Sequence, residues 1–106
     1  MLFTRKPSIT PEQAAAAVAK RQLVLVDVRE PGELRGGRVR GAINIPLGQL
    51  RARVHELEHG HQVAFLCHSG TRSSRATGIA INAGYDAVNV RGGVIAWTRA
   101  GLPLTG

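Results

Sequence analysis

The run Leu23-Val24-Leu25-Val26-Asp27-Val28 constrains this chain more than any other stretch. Successive side chains of a strand point to opposite faces of a sheet. Here both alternating sets are apolar, so a strand over this run needs cover on both faces. Three more short runs have strand character: Ala42-Ile43-Asn44-Ile45, closed by Pro46; Val63-Ala64-Phe65-Leu66; and Ala87-Val88-Asn89-Val90. Ser8-Ile9 suits a brief edge strand.

Segments of helical character separate these runs. Thr10-Pro11-Glu12-Gln13 is a helix start, with Thr10 as cap, Pro11 in the first turn and Gln13 completing a capping box. That helix is expected to reach Lys20 or Arg21, and its alanines supply propensity but little packing mass. Leu47, Leu50, Val54 and Leu57 fall at helical spacing and predict a helix from about Leu47 to Glu58. Ala76, Ile79, Ala80 and Ala83 predict another over Ser74 to Ala83, with Gly84 as its left-handed end and Tyr85 packing back. Arg91-Gly92-Gly93 reads as a tight turn before a short helix, Val94 to Arg99, whose Trp97 belongs in the core. Gly36, Gly37 and Gly41 make a flexible connection, and Gly101-Leu102-Pro103 closes the chain's last turn. Strands alternating with helices imply an α/β layer structure with a mostly parallel sheet. The 106 residues suit a single domain, 1–106, with one modest core.

The formal net charge of +7 fits an anionic substrate drawn to a positive cleft, contact with nucleic acid or a membrane surface, or a basic solvated surface with no such role. Nucleic-acid binding as the main role is set aside. The arginines, at 5, 21, 29, 35, 38, 40, 51, 53, 72, 75, 91 and 99, form no block, and no aromatics are interleaved with them. No stretch approaches the roughly 20 apolar residues of a membrane span, and Met1 to Pro7 is not followed by the long apolar segment of a secretory leader. The single cysteine excludes an internal disulfide and a multi-cysteine zinc site, and it suits the cytoplasm. His55, His59 and His61 lie close in sequence, but His61 falls past the expected helix end and no acid or thiol ligand is clearly placed with them. They read as solvated side chains near a helix C-terminus, where the dipole favours a cationic ring. No metal or cofactor is expected.

In parallel sheets ligands bind beyond the C-terminal strand ends. Cys67 follows one such strand, and the six residues Cys67-His68-Ser69-Gly70-Thr71-Arg72 turn the chain into a helix. A loop at a helix N-terminus points unpaired backbone N–H groups at one anion. That environment lowers a thiol's pKa, and Arg72 adds a charged fork suited to an oxyanion. The alternative, an inert buried cysteine, sits poorly with Ser69, Gly70 and Ser73, which form loops and caps rather than cores. Cys67 is therefore expected to be an exposed, reactive thiolate. Asp27, near the end of its strand, is expected to be a hydrogen-bonded anchor more than a site residue, because a buried acid needs partners. Arg29, Glu30, Glu33 and Arg35 are expected to pair with one another. Gly92-Gly93 as a phosphate cradle has only a glycine pair behind it.

Together these residues resemble the rhodanese (sulfurtransferase) family, from Ile9 to Pro103. Three motifs carry the resemblance: Asp27-Val28-Arg29-Glu30 with Glu33 and Gly41-Ala42-Ile43-Asn44-Ile45-Pro46; the Cys67-to-Ser73 loop; and Gly92-Gly93 with Trp97 and Gly101-Leu102-Pro103. The resemblance implies a three-layer α/β/α domain around a central parallel sheet. It implies transfer of a sulfane sulfur through a persulfide on Cys67, from a small anionic donor such as thiosulfate, or from a persulfide, to a small-molecule or protein thiol or to cyanide. Backbone N–H groups from His68, Ser69, Gly70, Thr71 and Arg72 would hold the sulfur, and Arg72 the anionic part of the donor, with Asp27, Arg29 and Ser73 in support. The family's phosphatase and arsenate-handling relatives use a loop one residue longer. Thiosulfate-preferring two-domain members tend to be basic where this chain has His68 and Ser69, and the family's frequent histidine in the Gly-His-Ile-x-Gly-Ala stretch is Arg38 here. The other function such a domain serves is a catalytically silent binding or regulatory module. Silent members commonly lack the loop cysteine, which this chain keeps.

Overall fold

The apolar run at Leu23 forms β2 (Leu23–Asp27), which lies inside a five-stranded sheet with neighbours on both sides. The computed structural model describes residues 6–106, so most of the Met1 to Pro7 stretch considered as a leader lies outside the described residues. In chain order the elements are β1 (Ser8–Ile9), α1 (Pro11–Ala19), β2, a 3-10 turn (Pro31–Gly36), β3 (Ile43–Asn44), α2 (Leu47–Arg53), a second 3-10 turn (Val54–Glu56), β4 (Gln62–Leu66), α3 (Thr71–Asn82), β5 (Ala87–Val90) and α4 (Gly93–Arg99). The strand order is β1-β5-β4-β2-β3, and every pairing is parallel.

The two-faced pattern of β2 and β4 divides the core as their alternation requires. Val26, Val63 and Phe65 face the layer of α2 and α3, where they pack with Leu50, Ala76, Ala80 and Tyr85. Leu23, Leu25, Ala64 and Leu66 face the layer of α1 and α4, with Ala14, Val94 and Trp97. Trp97 is buried and its indole N–H donates to Pro103 O at 3.2 Å. No described helix is long and apolar enough to cross a membrane.

Several element bounds depart from expectation. The capping box of Thr10 and Gln13 forms, but α1 ends at Ala19. α2 ends at Arg53, and Val54 to Glu56 tighten into a 3-10 turn. There the Tyr85 hydroxyl lies 2.9 Å from Val54 O and 2.7 Å from Leu57 O, and ties the end of this turn to the end of α3. α3 starts at Thr71 rather than Ser74, because Gly70 takes a left-handed conformation (φ 107°) and caps it. His55, His59 and His61 are exposed, but His59 is not simply solvated: its ring stacks on Tyr85 with centroids 4.0 Å apart.

The polar stretch after β2 also pairs differently from expectation. Arg29 turns back onto Asp27, its Nη2 2.8 Å from Oδ2 and its Nε 3.1 Å from both carboxylate oxygens. Both residues are buried. The same guanidinium donates to Gly37 O at 3.1 Å and Glu33 O at 3.4 Å, fixing the first 3-10 turn over the end of β2. Asp27 is thus the anchor expected of it, with Arg29 as its partner. Asn44 ties β3 to the same corner, donating to Asp27 O and Arg29 O, both at 2.9 Å.

Candidate active site

The chain leaves β2 toward β3 on one side of the sheet and leaves β4 toward β5 on the other. Above the β2–β4 pair the connections diverge, and such a switch point leaves a crevice. Cys67 stands there, directly after Leu66. Val28 N–H donates to Leu66 O at 2.8 Å, so strand pairing continues to the edge of the crevice.

The loop after Cys67 is held from behind by α4. Val94 N–H donates to Cys67 O at 2.8 Å and Ile95 N–H to His68 O at 3.1 Å. Gly93 makes this approach possible: a Cβ there would lie 2.5 Å from both of those carbonyl oxygens. Gly92-Gly93 therefore holds loop backbone and not an anion. With two carbonyls taken up by α4, the loop's N–H groups converge on the sulfur. Gly70 N lies 3.1 Å, Ser73 N 3.4 Å and Ser73 Oγ 3.3 Å from Cys67 Sγ.

Cys67 is 1% exposed, against the expectation of an exposed thiol. Its loop neighbours His68, Ser69 and Thr71 are the exposed ones. Burial pushes the Cys67 thiol up, but the hydrogen bonds that the Ser73 hydroxyl and the N–H groups of Ser73, Gly70 and Ser69 give to the ionised sulfur outweigh burial and bring the thiol below its ordinary value. Hydrogen bonds, more than exposure, favour the thiolate here.

Arg72 sits in the first turn of α3. It is not free: Nη1 lies 2.6 Å from Glu33 Oε1 and Nη2 2.9 Å from Oε2, a two-pronged pair between α3 and the first 3-10 turn. The Arg72 bond, joined by the Glu30 N–H, lowers the Glu33 carboxyl to about 2. The same bond raises Arg72 above its ordinary value. Asp27 and Arg29 act beneath the loop as a buried pair, and neither is among the groups bonded to Sγ.

One residue of the arrangement escaped the sequence reading. Asn89, on β5, lies with its Oδ1 2.6 Å from Ser73 Oγ and donates from Nδ2 to Gly70 O at 3.3 Å. Its signal was present in the sequence: an amide inside an apolar strand, which must find partners. A cavity of about 550 Å³ opens elsewhere, along the α2–α3 seam, lined among others by Lys6, Arg51 and Arg75. No residue of the Cys67 to Arg72 loop lines it.

Comparison with known proteins agrees with this geometry. The family model for the rhodanese-like domain matches residues 10–100. A sulfurtransferase of Allochromatium vinosum is 39% identical over 83 residues, covering 77% of this chain and 78% of that protein. The thiosulfate sulfurtransferase GlpE of Actinobacillus succinogenes is 32% identical over 105 residues, 98% of this chain and 92% of its own. Among solved structures, a rhodanese-related protein from Thermoplasma volcanium superposes with a TM-score of 0.87 at 32% identity, over 93% of this chain and 97% of that one.

Proposed function

The chain belongs to the rhodanese-like domain family, and from that premise we propose that, as one domain, it moves a sulfane sulfur from an anionic donor to a thiol through a persulfide on Cys67. The observation that carries this is the convergence of Gly70 N–H, Ser73 N–H and the Ser73 hydroxyl on one buried sulfur. Such donors stabilise a thiolate before reaction and a terminal persulfide sulfur after it.

With thiosulfate as donor, the Cys67 thiolate attacks the outer sulfur. A new S–S bond forms to Sγ, the donor's S–S bond breaks, and its electron pair leaves with sulfite. The charge on the enzyme sulfur is the same before and after, now carried on the outer atom. An acceptor thiolate, or cyanide, then attacks that outer sulfur and the electron pair returns to Sγ. This is covalent catalysis with fixed electrostatic support and uses no cofactor. Backbone N–H groups from His68 to Arg72 line the anion's path. Arg72 meets the sulfonate end with the N–H groups that its pair with Glu33 leaves over, and the Glu33 carboxylate cancels part of its charge, which favours donors of lower charge, such as persulfides, over thiosulfate. A lone free thiol suits the reducing cytoplasm as the place of work.

The test is thiosulfate:cyanide and persulfide:thiol transfer by wild type beside Cys67→Ser, with intact mass measured after incubation with donor alone. Wild type is expected to gain the mass of one sulfur and to turn over, and the variant to do neither. No sulfur gain by wild type from either donor class would reduce the domain to a silent binding module.

A further inference from the structure

The Ser73 hydroxyl has one proton and two neighbours that want it. Asn89 Oδ1 lies 2.6 Å away and Cys67 Sγ 3.3 Å away. The Asn89 amide cannot be turned round to resolve this. Gly70 O, 3.3 Å from Nδ2, only accepts, so the amide nitrogen must face it and the oxygen must face Ser73. A 2.6 Å contact is also short for N–H···O but ordinary for O–H···O. With the thiol neutral, every group is satisfied in one direction: Sγ–H donates to Ser73 Oγ, Ser73 O–H to Asn89 Oδ1, and Asn89 Nδ2–H to Gly70 O. When the sulfur ionises it must accept. Ser73 then turns its proton to Sγ and leaves its lone pairs against Asn89 Oδ1. Rotating the amide to relieve that would set Oδ1 against Gly70 O.

We propose that Asn89 is a positioning residue that decides where the Ser73 proton points, and so holds Cys67 back from ionising. The inference rests on the persulfide reading for its catalytic consequence, but it concerns the free thiol and can be read without any sulfur donor. Other charges face the sulfur's surroundings from every side. Arg72 on α3 is neutralised by Glu33 of the first 3-10 turn, Asp27 of β2 is neutralised by Arg29, and His68 lies on the loop itself. Arg91 at the end of β5 bonds to Ser8. α4 meets the loop through the backbone of Gly93, Val94 and Ile95. Substitution at Asn89 alters none of these groups.

The experiment is the pH dependence of Cys67 alkylation by iodoacetamide, a neutral reagent, in wild type, Asn89→Ala, Ser73→Ala and the double variant. Removing Asn89 frees the Ser73 proton for the sulfur, so the alkylation midpoint is expected to fall by about 0.5–1 pH unit. In the Ser73→Ala background the same change is expected to move nothing, because Asn89 acts only through that hydroxyl. A midpoint in Asn89→Ala that stays or rises, or a fall that persists without Ser73, overturns the proposal. Should Asn89→Ala fail to fold, the S–H stretching band of the wild-type thiol decides. A hydrogen-bonded band that shifts up in Ser73→Ala is expected, and a free-thiol band in wild type overturns the proton order. If this protein proves silent in sulfur transfer, the midpoints still stand or fall on their own.

Discussion

At the scale of the residue, the two ion pairs beside the site differ in kind. Arg72–Glu33 is half-exposed, and its value is in what it withholds. Glu33→Gln is expected to release Arg72 and lower KM for thiosulfate about two- to fivefold with kcat little changed, as for an exposed pair worth roughly 0.4–1 kcal/mol. Steady-state kinetics with thiosulfate and with a persulfide donor of lower charge check this, since the dianion should benefit more. The same pair has an acid signature. Glu33 is held at about 2 in the fold against 4.5 ordinarily, so its contribution is present above about 4.5 and is lost as pH falls toward about 2. Urea midpoints of wild type and Glu33→Gln should therefore converge across that window. Asp27–Arg29 is buried, with side chains 2% and 5% exposed. Asp27→Asn leaves a buried guanidinium without its carboxylate and is expected to cost about 3–5 kcal/mol in urea unfolding. A loss below about 1 kcal/mol would mean that Gly37 O and Glu33 O suffice to hold Arg29. The sequence showed that Asp27 needed a partner. Arg29, two residues on in extended chain, lies on the same face. That spacing carries the pair's signal, although the acidic residues that follow Arg29 made it look like a partner for them instead, while the Glu33–Arg72 bond, across 39 residues, had no local signal.

At the scale of the element, the site is a loop clamped between two helix starts. Strands were legible because alternation and double-faced burial leave few alternatives. The helix bounds were less so, because apolar spacing marks only the face that meets the core. Thr71 and Arg72 lie outside the buried core and carry no core signal, so α3 reads as starting late. The role of Gly93 was illegible for another reason: a glycine's importance lies in what approaches it, and here that is backbone distant in sequence. Gly93→Ala is expected to push the loop off α4, with transfer activity falling at least tenfold and stability by more than about 2 kcal/mol, since strain at φ 61° adds to a 2.5 Å clash with two carbonyls. Gly41→Ala is the matched control. Its φ of 85° carries a similar left-handed cost, but nothing stands within 4 Å of its Cβ. It should lose about 1–2 kcal/mol and keep its activity per folded molecule. Equal activity losses in the two variants would remove the loop–α4 contact from the account.

At the scale of the whole molecule, the arginines that form no block in sequence are sorted by the fold into paired and unpaired charges. Arg29, Arg53 and Arg72 each face a carboxylate. Among the described residues Lys6, Arg51 and Arg75 face none, and they gather along the α2–α3 seam. Arg75 is one turn beyond Arg72 on α3, so this positive strip begins beside the site and extends away from it. A net charge of +7 with such a strip should steer anions toward the loop, and salt should weaken that steering because charges beyond a Debye length of roughly 8 Å at 0.15 M are screened. The rate constant for sulfur loading from thiosulfate is therefore expected to fall several-fold between about 10 mM and about 150 mM salt. Alkylation by iodoacetamide, followed well above the thiol's midpoint, should hold steady over the same range. Replacing Arg51 and Arg75 by glutamate reverses the strip without touching any residue that contacts Sγ. That variant is expected to load more slowly at low salt and to lose most of its salt dependence, while its alkylation rate matches wild type. An undiminished salt slope in the variant would place the steering charge elsewhere, on Arg72 and the loop dipole.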